Sequence, residues 1–197
     1  MVLLTAVLLG LVLGICRAWI GKREYRVYDL KASGLVFLAV IPQFLIFSLP
    51  ATRSKIPDQY ASILFVGSIL LLLAFSLFNI RKTSFWPVII GFLLNAVVIL
   101  LNGGWMPVSP DTAQKLFPGG EVNTSKLGER VGFSKDILLT PESTRLWFLS
   151  DRFTLPDWIH YQVAFSIGDL LIFIGMIWLL WSLGGKDNTV TKEQYHE

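Results

Sequence analysis

Hydrophobic residues are gathered into five long runs, separated by short polar links and by one long polar interval. The runs cover approximately residues 2–19, 32–49, 60–78, 85–101 and 161–183. A membrane-spanning helix needs about 20 predominantly apolar residues, because the hydrocarbon core of a bilayer is about 30 Å thick. The pattern therefore predicts an all-α, polytopic membrane protein with five transmembrane helices, in a single membrane domain over 1–183.

The composition agrees with this prediction. Of 197 residues, 53% are hydrophobic and only 16% are charged, and the mean hydropathy is +0.59. These values lie outside the balance of an ordinary soluble domain. A net charge of +3 would suggest nucleic acid as the partner of a soluble protein, but in a membrane protein basic residues bind lipid headgroups. We expect the lipid bilayer as a partner and no nucleic acid.

Side chains that often carry catalysis or bind metals are scarce. A single cysteine, Cys16, excludes an internal disulfide, and only two histidines, His160 and His196, are present, so a conventional zinc site is not expected. Asp157, His160 and Ser166 lie close in sequence, but their spacing aligns no nucleophile, base and orienting group. We expect no cofactor, no metal and no catalytic residue, and a non-enzymatic role is favoured over an enzymatic one.

Basic residues in the short links predict the orientation. The links after the first and third runs are the basic ones. The first carries Lys22, Arg23, Arg26 and Lys31, close to Arg17 at the end of the first run, and the other carries Arg81 and Lys82. By the positive-inside rule both links are cytoplasmic. The N-terminus is then outside, the interval 102–160 is extracytoplasmic, and the polar tail 184–197 is cytoplasmic and expected to be disordered. The predicted location is the cell (cytoplasmic) membrane.

The extracytoplasmic interval, an outer loop of about 58 residues, is too long for a simple connector, so we expect it to pack on the membrane helices. Ser109 and Pro110 predict the N-cap and first turn of a short helix that ends near Phe117. The later part of the loop interleaves aromatic and charged residues, which suits a segment at the outer membrane surface or over a cavity. There Arg145 and Asp151 either pair with each other or are solvated separately.

Asp169 is an acidic residue inside the fifth apolar run. If the helix enters the membrane near Tyr161, eight residues at 1.5 Å each place Asp169 about 12 Å below the outer boundary. An ionised aspartate facing lipid at that depth costs about 2.5–3.5 kcal/mol, so the group should be protonated, paired or directed into a wet cavity. Gln162 and Ser166 are spaced to share a helix face with Asp169, which predicts a polar stripe.

Asn95 is the predicted partner of Asp169. It lies about 10 Å below the outer end of the antiparallel fourth helix, at a similar depth, and Gly91 one turn further would permit close helix packing. The pair is either a structural interhelical hydrogen bond, which averages under about 1 kcal/mol, or part of a functional site. Gln43, beside Pro42 in the second run, is a weaker candidate.

Three motifs carry a family resemblance. "NGGWMPVS" at 102–109, "TRLWFLSD" at 144–151 and "FSIGD" at 165–169 follow four apolar runs in this order. In this combination the chain resembles an uncharacterised bacterial multi-pass membrane protein family, domain of unknown function 5317. The resemblance implies a bacterial cytoplasmic-membrane setting and supplies no activity, substrate or catalytic residue.

The leading functional hypothesis is an outward-facing polar vestibule that binds or transports a small or lipidic ligand. Its predicted ligand-binding residues are Asn95, Asn102, Arg145, Asp151, Ser166 and Asp169. Asp169 would be the proton-sensitive or cation-binding group, and Arg145 the contact for an anion. The alternative is a non-catalytic accessory or assembly subunit whose aromatic outer loop docks a partner. A membrane enzyme acting on a lipid-linked substrate ranks third. Five helices are few for a complete carrier, so transport would imply a homo-oligomer or another membrane-protein partner.

Overall fold

The computed structural model describes residues 2–25, 30–116, 126–156, 158–159 and 162–185, and within them the chain is mostly helical. Seven α-helices are present in these ranges: α1 (Val2–Ile20), α2 (Gly34–Gln43), α3 (Pro50–Arg53), α4 (Asp58–Phe78), α5 (Phe85–Leu101), α6 (Pro110–Leu116) and α7 (Ile167–Leu183). A helical class is therefore confirmed.

The ends of the helices refine the predicted runs. The predicted bounds of the fourth run are those of α5, and α1 and α4 differ from their predicted bounds by one or two residues. α2 ends as a regular helix at Gln43 and continues as a π-helical turn, Phe44–Ser48. Pro42 explains the change of winding, because a proline removes one backbone donor and crowds the preceding turn. α7 begins at Ile167, so the fifth helix starts later than the predicted residue 161.

By length and composition, one helix in the described ranges, α4, can cross a membrane. Four further apolar helical stretches are shorter. They are Leu4–Ile20 within α1, Gly34–Ser48 (α2 with its π-helical turn), Phe85–Leu101 (α5) and Ile167–Leu183 (α7). The five apolar runs of the sequence thus correspond to five apolar helices, but among the described residues one of them has full spanning length, so the predicted five-span topology is not supported.

The all-α prediction is wrong in detail, because the chain between α5 and α7 contains short strands. β1 (Met106–Val108) pairs in parallel with β2 (Asp136–Leu138), and β3 (Phe153–Thr154) pairs antiparallel with β4 (Ala164–Phe165). Strands of two or three residues are too short to show the alternating pattern that predicts a strand from sequence. α6 was predicted correctly, and the Ser109 hydroxyl accepts from the backbone N–H of Thr112 as an N-cap.

The apolar helices pack in a row, in the order α2, α4, α5, α7 and α1. α2 and α1 lie at the two ends of this row, and within the described residues they do not pack extensively against each other. The main apolar core lies between the middle helices and includes Phe65 and Ile69 of α4, Phe92 and Ile99 of α5, and Ile172 of α7.

Small residues set the distance between neighbouring helices. A Cβ added at Gly91 of α5 would lie 2.5 Å from the backbone oxygen of Gly168 in α7, and one at Gly175 would lie 2.5 Å from Val88 Cγ2. Since residue 91 faces 168 while residue 88 faces 175, α5 and α7 are antiparallel. The predicted close approach at Gly91 is confirmed. Such glycines let helix backbones touch, as in small-residue membrane interfaces.

α1 packs on α7 through a stripe of small residues at four-residue spacing, Ala6, Gly10, Gly14 and Ala18, all of which are buried. Gly10 meets Ile177 and Leu180, while Gly14 meets Leu180 and Gly184, so the two helices run in parallel. The remaining large side chains of α1 and α2 are mostly exposed: Leu4, Leu8, Leu9, Val12, Leu13, Ile15, Phe37, Leu38, Val40 and Ile41. An apolar surface of this extent marks a membrane or protein contact.

The outer loop is fastened to the helices at the end of α5. Gly103 and Gly104 both adopt positive φ angles, 76° and 85°, which end the helix and turn the chain into β1. The Asn102 amide donates to the backbone oxygens of Val98 and Arg145, and its Oδ1 accepts from the backbone N–H of Arg145. Asn102 therefore holds the end of α5 against the later part of the outer loop.

Candidate functional site

A cavity of about 550 Å³ lies on one side of the helix row, under the outer loop. Its wall is mostly apolar and comes from α2 and its π-turn, α4, α5 and α7: Phe47, Phe65, Ile69, Leu72, Phe92, Ile99, Ile172 and Phe173. Its polar lining is Gln43, Ser48, Asn95, Ser134, Lys135, Asp136, Gln162 and Asp169. This volume is within the roughly 300–1,000 Å³ of small-molecule sites.

The predicted meeting of Asn95 and Asp169 is confirmed. The Asn95 amide donates to Asp169 Oδ1 at 2.8 Å, and Asn95 Oδ1 accepts from the Ser166 hydroxyl at 2.9 Å. Ser166 is fully buried and Asn95 is 7% exposed. Three predicted site residues are thus joined in one hydrogen-bonded group at the α5–α7 contact, and two of them, Asn95 and Asp169, line the cavity.

Asp169 lies in the first turn of α7, which corrects its predicted position well inside a longer helix. Ser166 is the N-cap: its Oγ accepts from the Asp169 N–H at 3.0 Å, and Asp169 Oδ2 accepts from the Ser166 N–H at 3.3 Å. A carboxylate in this capping box satisfies free backbone donors and lies at the positive end of the helix dipole. Gln162 precedes the helix, so the predicted helical stripe is wrong for that residue.

Lys135 is the centre of a charged group at the polar end of the cavity. Its Nζ lies 2.5 Å from Asp151 Oδ2, 3.7 Å from Asp136 Oδ1 and 4.0 Å from Asp169 Oδ2. Asp151 is 1% exposed. The parallel pairing of β1 and β2 brings Lys135 here, because its backbone oxygen accepts from the N–H of Met106 at the start of β1. One ammonium faces three carboxylates, so the group carries excess negative charge.

The charges in this group shift one another. Burial alone would lower the pKa of Lys135, but the carboxylates of Asp151, Asp169 and Asp136 outweigh burial and raise it above its usual value. Burial, followed by the charges of Asp169 and Asp136, raises the pKa of Asp151 against the opposing effect of Lys135. Lys135 is therefore held as an ammonium, which makes it a counter-ion and not a nucleophile.

Arg145 does not pair with Asp151, so that predicted alternative is wrong. Asp151 binds Lys135, whose position over the cavity depends on strand pairing. The backbone of Arg145 is bound by Asn102, and its side chain is exposed. Asn102 and Arg145 are not among the residues that line the cavity, whereas the weaker candidate Gln43 is.

The sequence pattern does not identify three residues of the site region, Lys135, Asp136 and Arg130. They belong to a polar, turn-rich segment whose composition carries no periodic signal, and their placement depends on contacts distant in sequence. The start of α7 could have been found, because Ser166 followed three residues later by Asp169 is the spacing of a capping box.

Arg130 is a buried guanidinium that fastens the outer loop to the helices. Its side chain is 4% exposed and donates to Asp58 at the start of α4 at 2.9 Å, to the Ile46 oxygen in the π-turn and to the backbone oxygens of Phe133 and Ser134. The guanidinium also lies over the rings of Trp105 and Phe47, at 4.7 and 5.4 Å from their centroids. These contacts fix the segment that carries Lys135.

Within the described residues, the hydrogen-bond partners of the Ser166 hydroxyl include no general base. The Ser166 hydroxyl donates to an amide oxygen, so Asn95 does not act as a base toward it. Asp157, His160 and Tyr161, together with the tail from residue 186, lie outside the described residues. The described geometry offers an apolar chamber that ends in fixed charges and amides.

No curated protein and no solved structure matches the chain. The sequence profile of DUF5317, a family of unknown function, matches residues 27–181. This range includes α2 to α6 and nearly all of α7, and it leaves α1 outside. The resemblance carried by the three motifs is confirmed at the level of the family. The chain therefore belongs to the DUF5317 family, whose function is unknown.

Proposed function

We propose that this protein is an integral membrane protein whose cavity binds an amphipathic small molecule or a lipid. The observation that carries the proposal is the cavity itself, which combines an apolar wall with a charged and amide-lined end. Binding pockets for small molecules have this mixture of apolar surface and a few fixed polar groups. A ligand with one polar end and one hydrocarbon part satisfies both regions.

The exposed apolar helices support embedding in a bilayer. α4 has 21 residues and is long enough to span. α5 and α7 have 17 residues each, the lower limit for a spanning helix, so a five-span arrangement requires local thinning of the bilayer or flanking aromatic anchors. The parallel packing of α1 on α7 and the antiparallel packing of α5 on α7 are those expected if all five apolar helices cross.

The orientation that we propose places the N-terminus outside and the tail in the cytoplasm, as the basic links predict. It is tested by labelling intact cells with a membrane-impermeant maleimide. In a Cys16→Ser background, Glu142→Cys in the outer loop should be labelled and Thr83→Cys between α4 and α5 should react only after lysis. The opposite pattern would overturn the orientation, and labelling of both in intact cells would overturn the membrane topology.

Ligand binding is tested with a neutral photoreactive probe, decanol that carries an alkyl diazirine, added to the full-length protein in phosphatidylcholine nanodiscs. Mass spectrometry then locates the cross-links. We expect labelling of the buried cavity residues Phe92 and Ile172 that unlabelled decanol competes away. Phe37, which is 69% exposed on α2, is the control, because bulk lipid and probe reach it without saturation. Labelling confined to exposed positions such as Phe37 would contradict the proposal.

A second candidate function, an accessory subunit that docks a partner, is favoured by exposed aromatic residues on the outer loop. Trp147, Phe148, Phe153 and Trp158 are 40–77% exposed. This function predicts one stoichiometric membrane protein that copurifies with the chain and is lost on Trp147→Ala combined with Phe148→Ala. Retention of the partner by that double variant would count against the docking surface.

A further inference from the structure

The polar end of the cavity carries more negative than positive charge. Asp136 and Asp169 line the cavity, Asp151 lies directly behind Lys135, and this single ammonium is shared by all three carboxylates. The other polar lining residues are three amides and two serines, which are neutral. The excess charge is therefore not cancelled by the remaining lining residues.

Two carboxylate oxygens in the same group have no donor. Within the described residues, Asp151 Oδ1 and Asp136 Oδ1 are buried and make no hydrogen bond, and the Asp151 side chain is 1% exposed. Buried carboxylate oxygens are normally satisfied, because leaving one without a donor costs free energy. The carboxylates of this group thus carry more negative charge and more acceptor atoms than the single ammonium of Lys135 satisfies.

We propose that the cavity selects amphiphiles with a cationic amine headgroup, which pairs with Asp136 and Asp169 while the hydrocarbon part fills the apolar chamber. This inference rests on the proposed function, since it names the ligand class of the same cavity. An alkylammonium group carries several N–H donors, as a lysine ammonium does. Once the ammonium of the ligand pairs with Asp136 and Asp169, Lys135 can pair with Asp151 alone.

The behaviour of Lys135 supports this assignment independently of the missing donors. The surrounding carboxylates raise the pKa of its ammonium even though burial opposes them, so the local field favours a positive charge. An anionic headgroup would meet the same field with the opposite sign. Among the described residues that line the cavity, the one cationic group is Lys135, which is already bound to Asp151.

The experiment ranks three ligands of equal chain length as competitors of the neutral decanol photoprobe, again in phosphatidylcholine nanodiscs at pH 7.5. The ligands are decylamine, decanol and decanoic acid, and each concentration is corrected for partition into empty nanodiscs. We expect decylamine to protect Phe92 and Ile172 from cross-linking at a concentration at least tenfold below that of decanol. Decanoic acid should be the weakest competitor.

Asp136→Asn is the diagnostic variant, because it removes one charge and keeps the side-chain shape. It should reduce the preference for decylamine over decanol at least threefold. Glu142→Gln removes an exposed carboxylate elsewhere in the outer loop and should not change this preference.

The outcomes separate the two proposals. Competition by decanoic acid equal to that by decylamine overturns the headgroup assignment, and so does an amine preference that Asp136→Asn leaves intact. Saturable labelling without any amine preference leaves amphiphile binding in place and removes only the cationic class. If no ligand protects Phe92 and Ile172, the proposed function itself fails. Should Asp136→Asn not fold, the ranking of the three ligands by the wild-type protein decides.

Discussion

The side-chain amide of Asn95 donates a 2.8 Å hydrogen bond to Oδ1 of Asp169, and this bond joins the middle of α5 to the first turn of α7. Asn95 simultaneously accepts from Ser166, the N-cap of the same helix. The Asn95 side chain therefore binds the cap and the first turn of α7 together. It also lies at the cavity, so the same residues hold the helices together and form part of the proposed binding site.

The Asn95–Asp169 bond should show measurable coupling in a double-mutant cycle. Asn95→Ala, Asp169→Ala and the double variant are compared by their free energies of unfolding in mixed micelles. We expect a coupling energy of about 1 kcal/mol, since interhelical polar bonds in membrane proteins average about 0.6 and reach about 1.7 kcal/mol. Additive effects of the two substitutions would show that the bond contributes nothing.

This pair could be predicted from sequence because each residue is a polar group in an apolar helix and the helices are neighbours in an antiparallel pair. The helical rise places Asn95 within α5, but counting from residue 161 places Asp169 too far inside the fifth helix, because α7 begins at Ile167. The place of Lys135 could not be predicted in this way. It depends on the parallel register of Met106 with Asp136, which joins two segments far apart in sequence through strands of three residues. Neither strand leaves an alternating pattern long enough to detect.

The start of α7 was misplaced for a related reason. Residues 163–165 are apolar and adjoin the helix, so a hydrophobicity pattern alone merges them with it. In the structure Ala164 and Phe165 form β4, paired with β3. The composition of residues 163–165 suits a helix or a strand, and pairing with β3 decides in favour of the strand. The capping-box spacing of Ser166 and Asp169 marks the start of α7.

Gly168→Ala should destabilise the protein, because the added methyl group would collide with Asn95 Oδ1 and lie 2.8 Å from the Gly91 backbone oxygen. Overpacking of this kind costs about 1–3 kcal/mol. Gly67→Ala is the matched control: Gly67 lies in α4 and nothing is within 4 Å of an added Cβ. The control should gain up to about 1 kcal/mol from helix propensity. Equal unfolding free energies for the two variants would contradict the close α5–α7 contact.

Arg130→Met should loosen the outer loop. The variant leaves the Ile46, Phe133 and Ser134 oxygens and Asp58 without the guanidinium donor. We expect the free energy of unfolding to fall by about 3 kcal/mol. Backbone amide exchange in residues 130–138, followed by mass spectrometry, should accelerate at least tenfold, while the middle of α5 keeps its protection.

The control for this variant is Arg152→Met, which removes an exposed guanidinium that lies 4.1 Å from the Trp147 ring centroid. This substitution should lower the free energy of unfolding by under about 1 kcal/mol, because cation–π contacts at exposed sites are weak. Exchange rates in 130–138 that respond equally to both substitutions would show that Arg130 does not anchor this segment.

Lys135 should make the stability fall at alkaline pH. Its pKa is raised in the folded protein, so its contribution is complete below the usual lysine pKa of about 10.4 and is lost as the pH rises from there toward the folded value. At pH 8 we expect Lys135→Gln to lower the free energy of unfolding by about 2 kcal/mol. The loss is smaller than for a fully buried ion pair, because the Lys135 side chain is 36% exposed. Unfolding measured between pH 8 and pH 11.5 should show this difference shrink above pH 10.4. Lys126→Gln, at an exposed lysine, should match the wild type throughout, and a constant or growing deficit for Lys135→Gln would rule out the ion pair as the cause.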